Sequence, residues 1–118
     1  MCIRDSINPA AVEGQIHGGV AQGIGWALYE GIQYDDTGSP DASSLLDYTL
    51  PRANMIPRID VCLVEVASAE GPYGAKGIGE PPAIPGPAAV GNAIRSAIGA
   101  RLTNLPIRPD AVLEAMEN

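Results

Sequence analysis

The richest chemistry in this sequence sits in one run, Gly71-Pro72-Tyr73-Gly74-Ala75-Lys76-Gly77-Ile78-Gly79-Glu80-Pro81-Pro82. Gly74, Gly77 and Gly79 let backbone N–H groups come close to an anion or a cofactor. The run is not a Walker loop, because Lys76 precedes Gly77 and no Gly-Lys-Ser/Thr is present. It also lacks the Gly-x-Gly-x-x-Gly spacing of a dinucleotide fold. Glu80 follows Gly79 and precedes two prolines, which stiffen its backbone. A carboxylate held that way can act as a general base. It can also be a solvated surface group, and the loop a tight structural turn. Gln15 and Gln22 lie two helical turns apart and so point the same way on a helix. Their amides suit a polar ligand or neighbouring backbone groups. His17 falls at the edge of an apolar stripe and reads as a packed or half-exposed side chain. Cys2, Cys62 and a lone histidine provide no zinc-ligand set, so no metal ligand is assigned. Cys62 reads as a small buried residue of a strand.

These residues need elements to hold them. Asn8-Pro9 combines an N-cap side chain with a proline suited to the first helical position. Val12, Ile16, Val20, Ile24, Ala27 and Leu28 then recur at helical spacing, to about Glu30. Gly14, Gly18, Gly19, Gly23 and Gly25 each weaken that helix by about 1 kcal/mol relative to alanine. Close approach of another backbone or a ligand is the usual compensation. Short strands are expected at 32–34, 45–50 and 59–66, the last rich in valine. A helix is expected over 87–98, with Gly99 as its stop, and a last short one opens at Pro109-Asp110. The expected fold class is α+β: a long Gly-rich N-terminal helix, a few short strands, a Gly-rich loop and C-terminal helices. Residues 1–6 read as a non-native leader and 7–118 as one unit.

Composition narrows the function. Seven basic against 14 acidic residues give a net charge of −7, the wrong sign for binding nucleic-acid phosphates. At 46% hydrophobic the chain is not a disordered polar one. With no Phe and one Trp it has few large anchors for a free-standing core, which points to part of something larger. No apolar run nears the roughly 18 residues of a membrane span, and the start lacks a signal peptide. A cytoplasmic location is expected.

Three ordered blocks carry a resemblance. The first is Ile7-Asn8-Pro9, Val12-Glu13-Gly14-Gln15, Gly18-Gly19 and Gln22-Gly23-Ile24-Gly25. The second is Asp47-Tyr48-x-Leu50-Pro51. The third is Gly74-Ala75-Lys76-Gly77-Ile78-Gly79-Glu80, followed by Ala88-Ala89-x-x-Asn92-Ala93-Ile94 and Leu105-Pro106. Together they resemble the C-terminal end of the large, molybdopterin-binding subunit of the molybdenum hydroxylases. That family comprises the xanthine dehydrogenases, aldehyde oxidases and carbon monoxide dehydrogenases.

The resemblance implies a molybdenum ion held by the dithiolene of a pterin, in bacteria often its cytosine dinucleotide form. It implies hydroxylation of an aldehyde, N-heterocycle or related small substrate with oxygen from water. Glu80 matches the family's general base, and Gln15 a glutamine lining the cofactor pocket. Gly77, Ile78 and Gly79 match the loop against the pterin. Iron–sulfur (2Fe-2S) clusters and FAD are implied on partner subunits or domains, with the rest of the large subunit as a further partner. The chain alone is expected to be inactive. The alternative is an independent small acidic binding module whose glycine loop holds an anion.

Overall fold

The Asn8 side chain accepts a hydrogen bond from Ala11 N at 3.1 Å and starts helix α1, Pro9–Leu28. The computed structural model describes residues 6–117. Helix α2 spans Gly86–Ile98, and Gly99 ends it in the left-handed conformation (φ 79°), which glycine adopts without Cβ strain. Helix α3 spans Pro109–Glu117. Single 3₁₀ turns lie at Ala53–Met55 and Pro72–Gly74.

The crossing of α1 over α2 and the turn before it explains the glycines. A Cβ on Gly19 would lie 2.5 Å from Pro82 Cβ, and one on Gly23 would lie 2.8 Å from Gly86 Cα. From the other side, a Cβ on Gly86 would lie 2.6 Å from Gly23 Cα. The two backbones touch, so the packed face of α1 is its glycine face. Gly19, Gly23, Gly25 and Ala27 are the buried positions of the helix. In the apolar stripe Ala27 is buried, and Val12, Ile16, Val20, Ile24 and Leu28 are half-buried.

Two further contacts brace the end of α1. Tyr48 Oη donates to Glu30 Oε2 at 2.8 Å, and the Pro51 ring comes to 2.8 Å of a Cβ placed on Gly25. Ile107 N donates to Ala27 O at 2.7 Å, and the Pro106 ring packs on Gly31.

The α+β expectation is corrected. Among the described residues the only β pairing is an isolated bridge between Tyr34 and Pro40. The turn joining them is closed by Asp35 Oδ1, which accepts from Thr37 N, Thr37 Oγ1 and Ser39 N. These bonds draw the Asp35 carboxyl below its usual pKa, the Thr37 side chain contributing most. Segment 45–50 is a turn instead of a strand. Tyr48 N donates to Ser44 O, and the Ser44 hydroxyl donates to Asp47 Oδ2. Such local side-chain bonds compete with a β ladder. Segment 59–66 has a strand's composition but no partner strand among the described residues, and a strand is stable only when its ladder is shared. Cys62, expected buried there, is exposed.

The buried apolar residues are Ala27, Ala83 and Ile107, and no large side chain is fully buried among the described residues. Val64 and Leu46 are 81% and 90% exposed. The accessible surface is 8680 Å², where a compact protein of this mass shows about 6,000 Å². The radius of gyration is 18.1 Å, against about 13–14 Å for a compact chain of this length. These values describe a piece of a larger packed body and disfavour an independent module.

Candidate functional site

The first turns of α1 and the glycine loop meet at a cavity of about 210 Å³. Asn8, Val12 and Gln15 form the helix wall, and Ala75, Lys76 and Ile78 the loop wall. The cap at Asn8 fixes the start of the helix, so the Gln15 amide stands two turns in, facing the loop. Ser6, buried at the end of the stretch read as a leader, completes the wall. Residues 1–5 lie outside the described range.

The loop is held from both ends. Before it, Ser68 N donates to Gly74 O at 3.0 Å, and the Pro72–Gly74 turn places Tyr73 at φ 57°. That left-handed conformation is costly for a bulky aromatic residue. After it, Ala83 N donates to Glu80 O and Gly86 N to Ala83 O, two turns that lead into α2. Pro82 and Ala83 in those turns pack on Gly19. The α1–α2 crossing thus sets where the loop lies.

The structure brings Gln15 and Ile78 together on one cavity. It does not bring Gln22 there: Gln22 lines a separate cavity with Glu30 and Pro51. Two residues on one helical face seven positions apart are still about 10 Å apart along the axis. Gly77, Gly79 and Glu80 do not line the Gln15 cavity. Glu80 is exposed, and its carboxylate has no bond to any described residue. His17 Nε2 donates to Ile59 O at 3.3 Å, tying segment 59–66 to α1. Lys76, the chain's only lysine, was visible in the sequence as a charge inside the loop. Its place on the Gln15 cavity depends on the fold.

These residues fit a polar organic cofactor. A Cβ on Gly77 or Gly79 would meet nothing of this chain within 4 Å, so no contact inside the chain requires glycine there. Bare backbone on an open loop, beside the Gln15 amide, suits a ligand rich in acceptors. Among the described residues no three His, Cys, Asp or Glu side chains converge as metal ligands. A metal at this site would be held by donors other than these.

Residues 4–57 match the molybdopterin cofactor-binding domain family. The chain is 40% identical over 109 residues to the xanthine dehydrogenase molybdenum-binding subunit of Escherichia coli O157:H7, covering 92% of this chain and 14% of that protein. It is 43% identical over 112 residues to the nicotine 6-hydroxylase large subunit of Paenarthrobacter nicotinovorans, with the same two shares. It belongs to the molybdenum hydroxylase family. The quinoline 2-oxidoreductase of Pseudomonas putida 86 superposes with a TM-score of 0.88 at 37% identity, over 95% of this chain and 15% of the other. The chain therefore spans about one seventh of the length of its molybdenum hydroxylase relatives. No described helix is long and apolar enough to cross a membrane.

Proposed function

We propose that the chain supplies the general base and one wall of the cofactor pocket to the large subunit of a molybdenum hydroxylase. The observation that carries this reading is the meeting of the Gln15 amide with the Ala75–Ile78 side of the glycine loop at one cavity. In this reading the Gln15 amide hydrogen-bonds the pterin, and the backbone of Gly77, Ile78 and Gly79 lies against it. The cofactor, molybdopterin or its cytosine dinucleotide form, would supply the two-electron oxidation. A Glu80 carboxylate oxygen takes the proton released as water-derived oxygen is transferred to a carbon of an aldehyde, N-heterocycle or related small substrate. Pro81 and Pro82 hold Glu80 in place, and Gly79 leaves room beside it. Electrons would leave through 2Fe-2S clusters and FAD on partner subunits or domains. Iron and flavin assays on the complete complex test that assignment.

Glu80→Gln in the full-length subunit is the decisive test. The amide is nearly isosteric but cannot accept the proton, so turnover should fall by about 10²–10⁴-fold while molybdenum content is retained. Retention of more than about a tenth of turnover removes Glu80 from the role. Gln15→Ala should leave a buried acceptor of the cofactor unpaired, at a cost of roughly 1–3 kcal/mol, read as lower molybdenum occupancy. Gln22→Ala, on a different cavity, is the matched comparison and should leave occupancy unchanged.

A further inference from the structure

A second cavity, of about 310 Å³, lies between α2 and segment 101–107. None of the residues in the proposed cofactor pocket lines it. Its polar lining consists of Asn92, Arg95, Arg101 and Thr103, over apolar groups that include Ala88 and Ile107. No carboxylate lines it, although the chain has 14 acidic residues against seven basic ones. The ion pair between Arg58 and Asp60 lies elsewhere. Neither Arg95 nor Arg101 bonds any described side chain. Arg95 sits in the last turn of α2, where a cation complements the helix dipole. That accounts for Arg95 alone. Arg101 lies beyond the Gly99 cap, and the dipole gives no reason for it to face the same space. The floor is fixed, since Ile107 is buried and its N–H is bonded to Ala27 O.

We infer that this cavity receives an Asp or Glu side chain from another segment of the large subunit, paired with both guanidinium groups. The inference rests on the reading of this chain as part of such a subunit. Two arginines on one cavity match the planar geometry of a carboxylate. The apolar floor favours a side chain that brings its own methylene stem over a free, fully hydrated oxyanion. The surplus of exposed surface and the coverage of about one seventh of the relatives' length mean that most of the subunit remains to pack against this chain. With no acid of its own in the cavity, the chain leaves the neutralising charge to that remainder.

The test uses the full-length holoenzyme with Arg95→Lys and Arg101→Lys, made singly. Each places an amine where a guanidinium stood, and a zero-length carbodiimide joins an amine only to a carboxylate in contact with it. The expected result is a cross-link, absent from the wild type, from each new lysine to one Asp or Glu outside residues 6–117. The Arg95→Gln/Arg101→Gln double variant should also have a lower Tm than the wild type. No cross-link, or one only to acids within this chain, overturns the inference. A Tm raised by millimolar phosphate in the wild type but not in the double variant also overturns it, and assigns a free oxyanion site instead. Molybdenum content is measured on the same samples. If the wild type holds no molybdenum, the cofactor reading fails while the cross-link still reports on the arginines. If molybdenum is present and the cross-link absent, only this inference fails.

Discussion

The α1–α2 crossing and segment 59–66 are both unusual in composition, yet only the first has its reason inside the chain. At the crossing every costly glycine meets something: Gly19 meets Pro82, and Gly23 meets Gly86. In 59–66 Val61 is half-buried, but Val64 and Val66 are 81% and 62% exposed. Both patterns are specifications for a neighbour. The crossing finds its neighbour about sixty residues along the same chain. Segment 59–66 is written for a neighbour that the described residues do not include. A part of a larger subunit is expected to contain both kinds of region, and the comparison shows which contacts are settled locally.

Glycine substitutions break the comparison most strongly. Gly86→Ala drives a Cβ to 2.6 Å from the Gly23 backbone, which cannot turn aside as a side chain can. The expected cost is about 1–3 kcal/mol, seen as a lower Tm of the full-length subunit. Gly14 and Gly18 are the contrast, because a Cβ there meets nothing within 4 Å and the helix tolerates it. Gly18→Ala should stabilise the isolated helix by about 0.5–1 kcal/mol, read as stronger helical circular dichroism. If Gly18→Ala instead destabilises the full-length subunit, Gly18 joins Gly23 as a contact glycine, its neighbour lying elsewhere in the subunit.

A smaller effect sharpens the other side. Cys62 is exposed in this chain, within a segment that lacks a sheet partner. A thiol reagent should label it readily in the isolated chain and much more slowly in the full-length subunit. Equal labelling in both would mean that 59–66 stays uncovered, and its valines would then need another explanation. The isolated chain should also melt without cooperativity, since its buried apolar residues are Ala27, Ala83 and Ile107.

The helices were legible because their signals are local. Asn8-Pro9 and Gly99 mark ends by their own backbone chemistry, and the structure places them within a residue or two. Of the expected strands, 32–34 keeps only the Tyr34–Pro40 bridge and 45–50 and 59–66 are not strands, because a strand-like composition describes a need for a partner and cannot supply one. The close approach expected at the α1 glycines is found at Gly19 and Gly23. Aliphatic spacing usually marks burial, but here the bare glycine face permits closer approach. Gln15 and Gln22 share an angle on the helix but not a position along its axis, so they line different cavities. The resemblance of the ordered blocks implied a shared pocket for Gln15 and the glycine loop; spacing alone could not show it, since that meeting depends on how α1 crosses the turns before α2.

The smallest effect tests the brace at the end of α1, where the settled region meets the unsettled one. Tyr48 donates its hydroxyl proton to Glu30 Oε2 at 2.8 Å, and this bond, with some burial and the nearby negative charge, raises the phenol's pKa. A group whose pKa rises on folding binds its proton more tightly in the folded state. Its contribution is therefore complete below the unfolded value of about 10 and is lost as pH climbs through the raised value. Ultraviolet absorbance titration should show a tyrosine ionising above about 10, and Tyr48→Phe should remove that late step. The same substitution should flatten the alkaline fall in stability while leaving neutral pH nearly unchanged, because the pair is largely solvated. If Tyr48→Phe removes a phenol that titrates at or below about 10, the hydroxyl is not bonded to Glu30 in solution. The turn at 44–48 would then be held to α1 by Pro51 alone, and this end of the helix would belong with 59–66 among the regions completed from outside.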